Sequence, residues 1–178
     1  VFYLKNSVRP FVTKKYSLEE RVMNNSKSKL TPLEKYWILY DVGNSAFILL
    51  VSTIIPIYFK NIAAVNGITA SNSTAYWGYA ISISTLIVAI IGPILGTLAD
   101  TKGYKKPLFT ILLMIGVIGC AALSLNFTWL AFLFVFVIAK VGVSGSLIFY
   151  DAMLSDVTTD DKMDLLSSSG YAWGYIGS

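Results

Sequence analysis

Four apolar runs, each long enough to cross a bilayer as a helix, constrain this chain more than any other feature. A hydrocarbon core of ~30 Å needs about 20 mostly apolar helical residues. The first run extends over about 36–59, and Val42 to Phe59 carries no charge. The second, Ala75–Ala99, has 25 uncharged residues, and the third, Pro107–Leu125, has 19. The fourth, about 128–150, is interrupted only by Lys140. Only 13% of the 178 residues are charged, against roughly 25% in a soluble domain. The expectation is an all-α transmembrane bundle of four complete spans. A fifth apolar stretch starts near 165, and the sequence stops within it. Together with a first residue that is valine, this reads as the N-terminal part of a longer protein.

Residues 1–35 form a basic tail, holding eight of the 14 lysines and arginines with Glu19, Glu20 and Glu34 interspersed. The tail has no apolar core of signal-peptide length. The loop between spans two and three adds Lys102, Lys105 and Lys106, and the loop after span four adds Lys162, whereas the opposite side has Lys60 alone. Basic residues mark the cytoplasmic side of a membrane protein, so the N-terminus is expected in the cytoplasm. No nucleic-acid motif accompanies the positive charge, and the expected partners are lipid and a small solute. There is no histidine and one cysteine, Cys120. That removes the usual neutral-pH base and metal ligand and any disulfide within the chain. The aspartates from Asp151 to Asp164 lack calcium-loop spacing. No cofactor, metal site or enzymatic constellation is therefore expected.

Polar groups within the spans need a reason, because ionisable side chains at this depth are costly and face protein or water. Lys140 falls near the middle of span four, and helical spacing places Ser144, Leu147 and Asp151 on its side. In span one, Asp41, Ser45 and Ser52 share a face, with Asn44 beside it. Asp41 and Lys140 are expected to face one water-filled cavity and to interact across it, directly or through substrate. A charge pair that only fixes helix packing is the competing reading. Gly92 and Gly96 around Pro93, and Gly142 with Ser146, have the small-residue spacing of tight crossings. Tyr36, Trp37, Tyr58, Phe59, Tyr76, Trp77, Trp129 and Tyr150 cluster at span ends as an expected interfacial belt.

Span two ends in Gly96-Thr97-Leu98-Ala99-Asp100-Thr101-Lys102-Gly103-Tyr104-Lys105-Lys106. This resembles the signature of the major facilitator superfamily, with Thr101 and Tyr104 where that family usually has a base. Lys102 stands in for the first of these. LEKYWILYDVGNSAF, TAYWGYAISISTLIVAIIGPILGTLAD and FYDAMLSDVTTDDKMDLLSSSGYAWGYIGS are similar to the vacuole-effluxer branch, over about 146 of the 178 residues. The resemblance implies a twelve-helix transporter of two six-helix halves, working by alternating access, with spans one and four lining the cavity. It also implies a gating role for Gly96, Asp100, Gly103, Lys105, Lys106 and Asp151, with Asp100 stabilising the outward-open state. The fungal members release amino acids from the vacuole. The short loops here favour a bacterial plasma-membrane protein over a vacuolar one. The reading is secondary-active transport of a small polar solute, amino-acid export being the finer expectation and protons a candidate coupling ion through Asp41. The alternative is a non-transporting membrane sensor or assembly subunit.

Overall fold

The computed structural model describes residues 30–101 and 103–177; residues 1–29 of the basic tail, Lys102 and Ser178 lie outside the described residues. All regular structure among the described residues is helical, in the order α1 (Pro32–Leu49), a π-helical segment (Leu50–Ile54), α2 (Ile55–Val65), α3 (Ala70–Ala99), α4 (Lys105–Ala122), α5 (Trp129–Ala152), α6 (Leu154–Val157) and α7 (Met163–Gly177). Four candidate membrane crossings are long and apolar enough: Pro32–Val65, α3, α4 and α5.

Span one starts earlier than its apolar run, because a reciprocal cap fixes its first turn. Thr31 Oγ1 accepts the Glu34 N–H at 3.2 Å, and the Glu34 carboxylate accepts the Thr31 N–H at 2.7 Å. Pro32 follows at a position whose missing N–H costs nothing. Span one is also not a plain α-helix. Ser52 Oγ donates to the carbonyls of Ile48 (2.8 Å) and Leu49 (3.1 Å), and Thr53 Oγ1 donates to Leu49 at 2.6 Å. Pro56 can supply no N–H. Carbonyls drawn to hydroxyls and a missing donor one turn later account for the local widening into π geometry. In α3, by contrast, Pro93 is accommodated within one continuous helix.

Helix α5 is the centre of the bundle, packed on α3 and α4, while α7 packs on α1. Glycines set the closest approach. A Cβ on Gly142 would lie 2.7 Å from Gly116 N and 2.8 Å from Leu112 O, and one on Gly119 2.7 Å from Ala139 Cβ. The crossing expected at Gly142 is present. At the other expected pair, Gly92 has only an ordinary contact with Ile148, and Gly96 has nothing within 4 Å among the described residues.

The expected aromatic belt needs correction. Trp37, Phe59, Trp77 and Tyr150 are buried inside the bundle. At the tail end, Trp37 stacks on Tyr150 at 4.4 Å, with Ile38 and Leu166 against them. At the far end, Phe59, Trp77, Phe132 and Phe136 form a second core. Tyr36 and Tyr58 do face outward.

Candidate functional site

Between these two cores, span one carries its polar residues toward α7. Asp41, Asn44, Ser45 and Ser52 line an open cavity of about 340 Å³, flanked on the other side by the largely exposed Tyr171 and Tyr175. The approach of α7 depends on its glycines. A Cβ on Gly170 would lie 3.2 Å from Asp41 Oδ2, and one on Gly174 would lie 2.7 Å from Ser45 Oγ and 3.4 Å from Asp41 Oδ2. The carboxylate of Asp41 thus faces bare backbone, and no hydrogen bond or ion pair to it is formed by any described residue. Asn44 stands at the boundary between this cavity and an apolar one of about 350 Å³, which Gly43, Phe47, Leu113, Val117 and Cys120 help to line. Its Oδ1 is buried and has no partner among the described residues.

Lys140 is half-buried on α5 and does not line the Asp41 cavity. No ion pair joins the two among the described residues. Their depths explain why. Tyr40 Oη lies 2.8 Å from Ser146 Oγ, and Ser146 Oγ already donates to Val143 O at 2.7 Å, so Tyr40 is the donor. This antiparallel pairing sets Asp41 level with the residue before Ser146, and Lys140 is about five residues, or ~7.5 Å, farther along α5. Ser144 and Leu147 are half-buried beside Lys140, and Asp151 is exposed.

The turn after α3 builds a second feature at the tail end. Asp100 caps α3 through its N–H on Gly96 O at 3.2 Å. Gly103 has φ +89°, which a side chain disfavours. Lys105 Nζ then reaches across to Asp156 Oδ2 at 2.8 Å and Ala152 O at 3.2 Å. Asp100, Gly103, Lys105, Lys106 and Asp156 rim a groove of about 650 Å³ floored in part by Leu33 and Val157. Beside it, Thr158 Oγ1 donates to Glu34 Oε1 at 2.8 Å. The start of span one, the turn after α3 and the segment after α5 are thereby tied together.

The sequence reading placed Asp41, Asn44 and Ser45 on one side of span one, and they do share one cavity. It did not find Tyr171, Tyr175, Gly170 or Gly174. The four-residue spacing of Gly170 and Gly174 is a readable signal for close helix approach. Asp156, the partner of Lys105, gave no comparable signal within the row of aspartates.

A model of the Major Facilitator Superfamily matches residues 7–178. The chain belongs to the major facilitator superfamily. It is 44% identical over 153 residues to the Uncharacterized MFS-type transporter YxiO of Bacillus subtilis (strain 168), an alignment covering 84% of this chain and 36% of that relative. The chain thus spans about a third of the length of the curated relative it matches. No solved structure matches it significantly. Superfamily membership and the four candidate crossings make this chain part of a multi-pass integral membrane protein, with the turn Gly96–Lys106 between the second and third spans.

Proposed function

We propose that the protein carrying this chain is a secondary-active transporter of small polar solutes, working by alternating access, with the Asp41 cavity on the solute path. The observation that supports this is the cavity itself. Within a superfamily of transporters, it presents a carboxylate, an amide and two serine hydroxyls at membrane depth, where polar groups are retained for solute or ion pathways. Substrate sites of such transporters lie near the midplane. Asp41 is the carboxylate that would carry a coupling proton. Lys140 stands about 7.5 Å deeper, where it would meet a solute in transit rather than Asp41, with Ser144 on the solute path between the two levels. The charge bias of the loops supports a cytoplasmic N-terminus in a bacterial plasma membrane. In this reading the groove at Asp100, Lys105 and Lys106 is the inner gate, and exposed Asp151, outside the groove, belongs to the same gating set. Amino-acid export is the finer reading that the vacuole-effluxer resemblance supports.

Counterflow in proteoliposomes of the full-length protein tests this proposal. If the solute is an amino acid, the labelled compound should accumulate against preloaded unlabelled solute, faster under an imposed pH gradient and not at all for Asp41→Asn. An inert protein of normal fold across the amino-acid panel would remove that substrate class.

A further inference from the structure

We propose that the Asp41 cavity is an ammonium-binding site that accepts a primary alkylamine in preference to a zwitterionic amino acid. The proposal rests on the transport reading only in taking this cavity as part of the solute path, and at this cavity it sets an alkylamine in place of the amino-acid substrate class. The case begins with which hydrogen-bonding groups the lining offers. Asp41 is acceptor-only when ionised, and no described residue donates to it. Ser52 spends its single proton on the carbonyls of Ile48 and Leu49, so only its lone pairs remain for a ligand, while Asn44, Ser45 and the two tyrosine hydroxyls at the cavity can accept as well as donate. Tyr171 and Tyr175 stand one helical turn apart on α7 at the same cavity and bring aromatic rings, whose quadrupole attracts a cation placed over a face. Ile48 and Leu49 complete the lining and suit a short alkyl chain.

No lysine or arginine is among the lining residues. A carboxylate group on the ligand would therefore find no cationic partner among the described residues, beside the Asp41 carboxylate that repels it. An alkylammonium has the opposite balance, because its N–H groups satisfy Asp41 and its charge is offset by the same group. Gly170 and Gly174 keep this space open, since a Cβ at either would crowd the Asp41 oxygen or the Ser45 hydroxyl.

The test is equilibrium binding to the purified full-length protein in nanodiscs, by calorimetry at fixed ionic strength. The probes are n-butylammonium, its carboxylated counterpart norvaline, n-butanol and sodium ion. Saturable butylammonium binding is expected, at least tenfold tighter than norvaline and at least tenfold weakened by Asp41→Asn, with no butanol binding. Tyr171→Leu, at a largely exposed position, is expected to weaken binding several-fold and serves if Asp41→Asn does not fold. Norvaline binding as tightly as butylammonium, equal binding of butanol, or a saturable sodium site that excludes butylammonium would each overturn the proposal. Unchanged affinity in a folded Asp41→Asn protein would overturn it too. Butylammonium binding with these preferences but no flux of any solute would refute the transport reading and leave this site standing. Flux with none of these binding preferences would refute the site alone.

Discussion

Gly142→Ala is the perturbation whose cost follows most directly from the packing. The new Cβ would lie 2.7 Å from Gly116 N and 2.8 Å from Leu112 O. Both are backbone atoms of α4, so no rotamer change relieves the contact. Bringing the shorter distance to an ordinary 3.4 Å requires a separation of 0.7 Å (3.4 minus 2.7) between α4 and α5. Overpacking of this kind costs about 1–3 kcal/mol. Alanine's better helix propensity returns at most ~1 kcal/mol of that. Gly145→Ala, on the same helix, is the control. Its Cβ would meet the methyl ends of Leu112 at 3.3 and 3.5 Å and of Leu95 at 3.5 Å, and these can give way. The assay is thermal unfolding of the full-length protein in detergent, followed by a thiol-reactive dye. Gly142→Ala should lower the midpoint by several degrees, and Gly145→Ala should leave it nearly unchanged. Equal midpoints for the two variants would refute the claim that backbone contact at Gly142 sets the α4–α5 distance.

Three further outcomes are expected. Thr158→Val removes the donor to a Glu34 side chain that is only 3% exposed, and should cost about 1.5–3 kcal/mol, the range for hydrogen bonds to charged groups, in the same unfolding assay. Asp156→Asn breaks the 2.8 Å pair with Lys105, but the pair is partly exposed and stability should fall by no more than ~1 kcal/mol; the larger change should be in transport rate, read in proteoliposomes. Tyr40→Phe deletes the donor to buried Ser146 and should lower stability by about 1 kcal/mol, with butylammonium affinity unchanged because Tyr40 does not line that cavity.

The spans were legible in the sequence because uncharged runs of this length have one stable home, the bilayer, and only one regular backbone to adopt there. The turn at Gly103 was legible for a similar reason, since a glycine in a short basic loop marks the positive φ that the turn requires. Side-chain direction was less accessible. Trp37, Phe59, Trp77 and Tyr150 sit at span ends, as an interfacial belt would, yet they point inward, and position along a helix does not say which way a ring faces. Helical spacing likewise gave the face shared by Asp41 and Ser45 but not the neighbour it meets. That neighbour is α7, through Gly170 and Gly174, and not Lys140. The π segment escaped notice although its causes, Ser52, Thr53 and Pro56, are all visible, because its effect depends on which carbonyls the hydroxyls choose.

Alternating access around the Asp41 cavity is the central claim, and accessibility of Ser45 tests it most directly. Ser45→Cys, in a full-length background without other reactive cysteines, would be exposed to a membrane-impermeant thiol reagent from each side of sealed, oriented vesicles in turn. The account predicts labelling from both sides, slowed by bound solute. Labelling from neither side, in a protein that a lipid-soluble thiol reagent does modify, would contradict it.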